Sequence, residues 1–206
     1  MSTPPILIAT RNPGKLAEMR PLLAHAGMHI IDLGAAGLEE RTEEADLECF
    51  ETFEENARAK ARYFHERSGG MVTIAEDSGL EVAALGGRPG VHTKRWSGRA
   101  DLHGRELDEA NNAALLAALV GVADRSARYV CAAVYIDARQ TRTYRGETAG
   151  RILLSPRGRG GFGYDPLFES TELGMTFGEA SMEAKSRVSH RARALRTLVA
   201  DLRGAR

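Results

Sequence analysis

The sequence predicts an α/β protein, because short apolar runs alternate along it with segments of helical period. Pro5-Ile6-Leu7-Ile8-Ala9-Thr10 reads as a buried strand, and Leu16, Met19 and Leu23 follow it at helical spacing. Arg128 to Ala138 and Gln140 to Leu153 read as two longer strands joined as a hairpin that carries a second lobe. The chain ends in an amphipathic helix with Leu195, Leu198, Val199 and Leu202 on its inner face. No repeat, low-complexity linker or domain boundary is visible, so residues 1–206 read as one domain.

Composition excludes several classes. Hydrophobic content of 43% and charged content of 27% are those of an ordinary globular chain. With a formal net charge of zero, no global field recruits nucleic acid or an anionic membrane. Met1-Ser2-Thr3-Pro4-Pro5 lacks a basic leader signature, and no apolar run approaches the ~20 residues a spanning helix needs. The expected compartment is the cytoplasm. Cys131 lies in an apolar run and reads as a small core residue, so neither a disulfide nor a cysteine zinc site is expected. Of the 28 basic residues only Lys15, Lys60, Lys94 and Lys185 are lysines. Codon bias is one explanation. The other is that these positions need the compact charge of an ammonium, as phosphate sites do.

In chain order, Asn12 is a good N-cap and Pro13 a good first helical residue. Thr10 to Lys15 therefore forms a strand-to-helix turn with amides, a hydroxyl and an ammonium at a helix N-terminus. That is either a phosphate site or an ordinary capped turn; it is not a Walker A loop. His29 to Leu33 reads as a second strand, and the acidic stretch from Gly34 to Glu48 as a mobile loop. Thr52-Phe53-Glu54-Glu55 is a capping box opening a helix to about Arg67, with Lys60 four residues after Asn56 on one face. Lys60 is a phosphate ligand or a solvated surface lysine.

Met71 to Ala75 reads as a short strand, ending in Glu76-Asp77-Ser78-Gly79. Two acids at a strand's carboxyl end are costly without a cation or basic partner, which points to a Mg²⁺ ligand and general base. The competing reading is a turn in which Asp77 and Ser78 cap amides and Gly79 takes a positive φ. Leu80 to Leu85 reads as a further strand, Gly86 to Val91 as a tight loop, and about Asp108 to Leu119 as a helix. Gly160 to Pro166 places glycines beside Phe162 and Tyr164, suiting a planar ligand or a flexible hairpin. Ser189 is expected to cap the last helix, leaving His190 and Arg191 in its first turn. Cations there oppose the helix dipole, which suggests that a ligand holds them.

Five stretches together resemble the inosine triphosphate pyrophosphatase family, which hydrolyses aberrant purine nucleoside triphosphates. They are Ala9 to Lys15, Thr52 to Ala57, Asp77 to Leu80, Leu85 to Val91, and Gly160 to Pro166 taken with Ser189-His190-Arg191. The resemblance implies a two-lobed α/β fold with a long mixed central sheet flanked by helices, and a homodimer. It implies that Thr10, Arg11, Asn12, Pro13, Gly14 and Lys15 hold the triphosphate with Lys60. It makes Asp77 the catalytic carboxylate and a Mg²⁺ ligand, with Ser78 contacting substrate. Phe162, Gly163, Tyr164 and Asp165, with Lys185, His190 and Arg191, would form the base pocket. The second metal carboxylate of the family corresponds to Glu48, with Glu51 and Glu76 as alternatives. Arg11 and Glu76 depart from the residues the family usually carries. Two other readings remain: a Maf-like pyrophosphatase acting on other modified nucleotides, and a non-catalytic nucleotide sensor.

Overall fold

The N-terminal apolar run forms β1 (Ile6–Ile8), which pairs in parallel with β2 (Ile30–Asp32) and with β3 (Thr73–Val82). The computed structural model describes residues 4–204; Met1, Ser2 and Thr3, part of the stretch read for a leader, lie outside them. The two long strands are β4 (Ser126–Ile136) and β5 (Thr141–Ile152), turned by a bond from Asp137 N to Gln140 O. Antiparallel β6 (Phe168–Ser170) and β7 (Met175–Thr176) complete a seven-stranded mixed sheet of order β2-β1-β3-β4-β5-β6-β7. The helices are α1 (Pro13–His25), α2 (Phe53–Arg67), α3 (Gly104–Ala118), α4 (Met182–Val188) and α5 (His190–Gly204). None of them is long and apolar enough to cross a membrane.

The chain divides into two compact units. The first comprises Met1–Asp77, Cys131–Gly146 and Arg191–Arg206. Its core joins Ile8 and Ile74 to Met19 and Leu23 of α1, Cys131 and Ala133 of β4, and Leu195 and Leu198 of α5. The second comprises Ser78–Val130 and Glu147–His190. Its core is richer in rings: Tyr129, Tyr164, Phe168 and Phe177 pack with Leu80, Val82, Leu115 and Leu119.

Two expectations are corrected. The strand near residue 73 does not end at the acids: β3 continues through Glu76-Asp77-Ser78-Gly79 to Val82, and Gly79 is not among the glycines of positive φ. The turn reading of Asp77 and Ser78 therefore falls, and of the separate strand expected from Leu80 to Leu85 only Leu80 to Val82 is strand, as the end of β3, while Ala83–Leu85 forms a 3₁₀ turn. The acidic segment is also less free than its composition implies. Thr42–Glu48 forms a 3₁₀ turn anchored by Glu44. The Glu44 carboxylate accepts from Arg11 Nε and Nη2 at 3.0 and 2.9 Å, from Arg67 at 2.7 Å, and from the Arg41 amide at 3.2 Å. Arg67 also donates to the Glu39 carbonyl oxygen at 3.0 Å. Charge-assisted bonds from two guanidinium groups outweigh the local preference of an acidic, aperiodic stretch for solvent.

Glycine is required at Gly150, where β5 meets β6: a Cβ there would overlap the Glu169 carbonyl oxygen and the Phe168 ring. Gly150→Ala should lower stability by about 1–3 kcal/mol, the usual cost of overpacking, read as a fall in the urea midpoint at unchanged m-value. A second expectation concerns Glu44. Burial alone would raise its pKa, but Arg11 and Arg67 hold it below its ordinary value of 4.5. A carboxylate depressed in the folded state contributes stability that is present above its unfolded pKa and is lost as pH falls through the folded one. Unfolding followed from about pH 6 to about pH 3 should therefore show a shallower acid loss in Glu44→Gln than in the wild type.

Candidate active site

The expected residues fall into two groups, one in each unit. In the first unit the turn from β1 into α1 is capped as its sequence indicates. Thr10 Oγ1 accepts from Asn12 N at 3.1 Å, and Asn12 Oδ1 from Lys15 N at 3.1 Å, with Pro13 opening the helix. Capping fixes the direction of Lys15, whose Nζ lies 2.8 Å from Glu76 Oε1 and 4.0 Å from Asp77 Oδ1. Lys60 is buried, not a solvated surface lysine. Its Nζ donates to the Glu76 carbonyl oxygen at 3.0 Å and pairs with Glu48. Asp77 Oδ2 accepts from Asn56 Nδ2 at 3.1 Å, and Asn56 is itself fixed by both backbone groups of Phe50.

These contacts divide the acids by role. Burial would raise the Glu76 pKa, but Arg191, Lys15 and Lys60 hold it well below the carboxylate range. Glu76 is therefore a permanent anion with no side-chain exposure. Burial likewise raises Asp77; Lys15 and Lys60 oppose this, while Glu48 and Glu76 add to it, and the net shift is upward. For Glu48 burial is outweighed by Lys60 and Lys15, and its pKa falls to about 2. Lys15 is pushed down by burial but raised overall by Glu76, Asp77 and Glu48, so it stays an ammonium.

Among the described residues, no three His, Cys, Asp or Glu side chains are grouped so as to hold a metal ion by themselves. Asp77 and Glu48 offer oxygen donors only, the set a hard divalent cation prefers, and Mg²⁺ commonly takes one or two carboxylates with substrate oxygens and water. A buried Asp77 whose charge is disfavoured by Glu48 and Glu76 would also be relieved by a cation. The donor set fits such an ion. Glu51 is exposed, and the Glu76 carboxylate faces Lys15 and Arg191.

Arg191 belongs to this first group. It is 2% exposed, pairs with Glu18 of α1, and lies 3.5 Å from Glu76. Two carboxylates thus meet a cation set against the α5 dipole. Arg11, expected on phosphate, turns its guanidinium to Glu44 instead. Two participants escape the sequence reading. Asn56 falls within the Thr52 to Ala57 stretch and four residues before Lys60 but has no role assigned from the sequence; its signal is a buried amide on an amphipathic helix. Glu18 is a buried acid one turn after Lys15; the charge pattern gives no sign that its partner is 173 residues away.

The second unit gathers the ring-bearing residues. Gly161 has φ 72°, and a Cβ there would overlap the Asp165 carboxylate. That close approach lets Asp165 Oδ2 accept from Phe162 N at 2.9 Å and from Lys185 Nζ at 2.5 Å. The Lys185 ammonium also lies 5.1 Å from the ring centroids of Phe162 and Phe177, within cation–π range. Tyr164 donates to the Thr93 carbonyl oxygen at 2.8 Å, and burial raises its pKa. The His190 ring stacks on Tyr129 at 4.7 Å and 9°. His190 and Arg191, expected together, are therefore assigned to different units. Ser78, 8% exposed, begins the second unit. Of the four lysines, Lys15, Lys60 and Lys185 each meet a carboxylate in these groups, while Lys94 is exposed.

The model of the Ham1 family matches residues 6–201. A dITP/XTP pyrophosphatase from Ralstonia nicotianae is 45% identical over 201 residues, covering 96% of each chain. One of the same name from Mycolicibacterium paratuberculosis is 48% identical, over 96% of this chain and 95% of its own. Among solved structures, a HAM1 protein from Coxiella burnetii superposes with a TM-score of 0.83 at 32% identity, covering 98% of this chain and all of that one. The Staphylococcus aureus Ham1 protein gives 0.82 at 34%, with the same coverage. Matched along nearly its whole described length in sequence and fold, the chain belongs to the Ham1 family.

Proposed function

We propose that this protein hydrolyses aberrant purine nucleoside triphosphates, such as ITP, dITP and XTP, to the monophosphate and pyrophosphate. The observation that carries the reading is the state of Asp77. It is a buried carboxylate of raised pKa, set beside the ammonium groups that a polyphosphate needs. The names of the Ralstonia and Mycolicibacterium relatives support the same substrate class.

In this reading Lys15 and Lys60, with the amides at the start of α1 and the Thr10–Gly14 turn, neutralise the triphosphate, and Ser78 contacts it. Asp77 takes a proton from a water molecule. The water oxygen bonds to the α-phosphorus, and the bridging bond to the β-phosphate breaks with its electron pair leaving on pyrophosphate. Asn56 holds one Asp77 oxygen, which orients the other. Asp77 and Glu48 would hold Mg²⁺, which would offset charge on the phosphates and polarise the attacked phosphorus. The Phe162 ring stacks on the purine, while Gly163, Tyr164 and Asp165, with Lys185 and His190, form the base pocket. Arg191 acts through Glu76, whose charge it fixes. Residues 1–206 work as one cytoplasmic enzyme domain, and the active form is a homodimer, which light scattering would test.

The decisive measurement is Mg²⁺-dependent pyrophosphate release from a panel of ITP, dITP, XTP, ATP and GTP. Preference for the first three supports the proposal; equal turnover of ATP, or none of any, overturns it. Asp77→Asn keeps the side-chain shape and the Asn56 contact but removes the charge. Its kcat should fall by about 10²-fold or more while the thermal midpoint holds or rises, since a strained buried charge is gone. An Asp77→Asn enzyme of full activity at low Mg²⁺ would refute the assignment. Lys15→Arg should weaken triphosphate use although it conserves charge, because a planar guanidinium does not fit where a compact ammonium meets Glu76 and Asp77. The comparison is with Lys94→Arg, at an exposed position, where kcat/KM should be unchanged.

A further inference from the structure

We propose that Asp108 and Asn112, on α3, are positioning residues for purine recognition: they clamp the backbone of Gly163 and so fix the Phe162 loop. The inference rests on the reading of that loop as the purine site. Asp108 and Asn112 are one turn apart and share a helix face. Asp108 Oδ2 accepts from the Gly163 amide at 2.7 Å, and Asn112 Nδ2 donates to the Gly163 carbonyl oxygen at 2.8 Å. Both polar groups of one loop residue are thereby taken by one helix.

The orientation of Asn112 is not free to vary. Its amide nitrogen serves two carbonyl oxygens, that of Gly163 and that of Asp108 at 2.8 Å, so the amide cannot flip without opposing acceptors to acceptors. Its Oδ1 is buried and has no hydrogen-bond partner among the described residues, a cost tolerated to keep the donor in place. The helix is a firm base for the clamp. Asn111 accepts from Ser97 N at 2.8 Å and donates to the Lys94 carbonyl oxygen at 2.9 Å.

The loop needs such a clamp. Gly158, Gly161 and Gly163 all have positive φ, and a chain this rich in glycine has much conformational freedom to lose on ordering. Phe162 N is tied to Asp165 and the Tyr164 hydroxyl to Thr93, one on each side of Gly163. Without the α3 bonds, Gly163 between those ties could rotate and swing the Phe162 ring. A ring that must be ordered at each binding event lowers affinity and leaves the phosphate chemistry intact.

The test compares Asp108→Ala, Asp108→Asn and Leu115→Ala with the wild type, using ITP and ATP as substrates. Loss of one clamp bond should raise KM for ITP by about tenfold in Asp108→Ala, with kcat within about threefold. Asp108→Asn retains an acceptor oxygen for the Gly163 amide and should return KM to within about threefold of wild type. Leu115→Ala should lower the thermal midpoint without moving KM, which separates positioning from general loss of stability. Exchange of the Gly163 amide, followed in the folded proteins, should be slow in wild type and Asp108→Asn and fast in Asp108→Ala. Unchanged KM in Asp108→Ala, an Asp108→Asn enzyme as impaired as Asp108→Ala, or an equal rise in Leu115→Ala would overturn the proposal. A Gly163 amide unprotected in the wild type would do the same, whatever the variants' folding. Slow exchange in a wild type that does not prefer ITP to ATP would instead overturn the purine-site reading beneath it.

Discussion

A carboxylate with no access to water is the constraint on which the first unit depends. Glu76 stands in the middle of β3, and an isolated buried anion is too costly to persist. The fold answers with Lys15 from α1 and Arg191 from α5, while Lys60 from α2 takes the Glu76 carbonyl oxygen and the Cys131 thiol of β4 donates at 3.3 Å. Three helices and a neighbouring strand are thus registered on one residue of the sheet. Burial, and then the Glu76 charge, raise the Cys131 pKa, which keeps that cysteine a neutral donor.

The same arrangement explains why two adjacent acids can differ. Glu76 meets cations directly and stays charged. Asp77, one residue on, has its nearest cation 4.0 Å away, is pushed up by burial, and feels Glu76 and Glu48 as like charges. Surroundings alone can drive the pKa values of two adjacent carboxylates apart. Lys15 lies 2.8 Å from Glu76 and 4.0 Å from Asp77, so it links the electrostatics of the two acids.

The second unit is built on shape more than charge. Its core is a run of rings, with Phe168 in edge contact with Tyr129 and the His190 ring stacked on the Tyr129 face. In the loop before β6 glycine is needed at position 161 because Asp165 folds back against it. Freedom that glycine allows in the unfolded chain is removed in the native one by Asp165, Lys185 and the α3 clamp.

Much of this was legible in the sequence where the determinants are local. The Asn12–Pro13 cap, the Thr52 cap of α2 and the apolar face of α5 each involve residues within a turn of one another, and each forms where its pattern places it, although the Glu55 carboxylate returns to the Thr52 hydroxyl and not to its amide as a full capping box would. The scarce lysines are legible in part: Lys15, Lys60 and Lys185 each meet a carboxylate, while Lys94 is exposed. What only the tertiary structure decided is every pairing between distant segments. Local signals at Glu76–Gly79 allow a turn, yet the strand runs straight through, with Lys15, Lys60 and Arg191 arriving from elsewhere in the chain to meet the acids. The acidic stretch before α2 is anchored because Glu44 finds Arg11 and Arg67, and Arg191 pairs with Glu18 from the opposite end of the sequence. Propensity and capping act over a few residues, whereas the pairing of a buried charge depends on where the whole chain has brought its counter-charge.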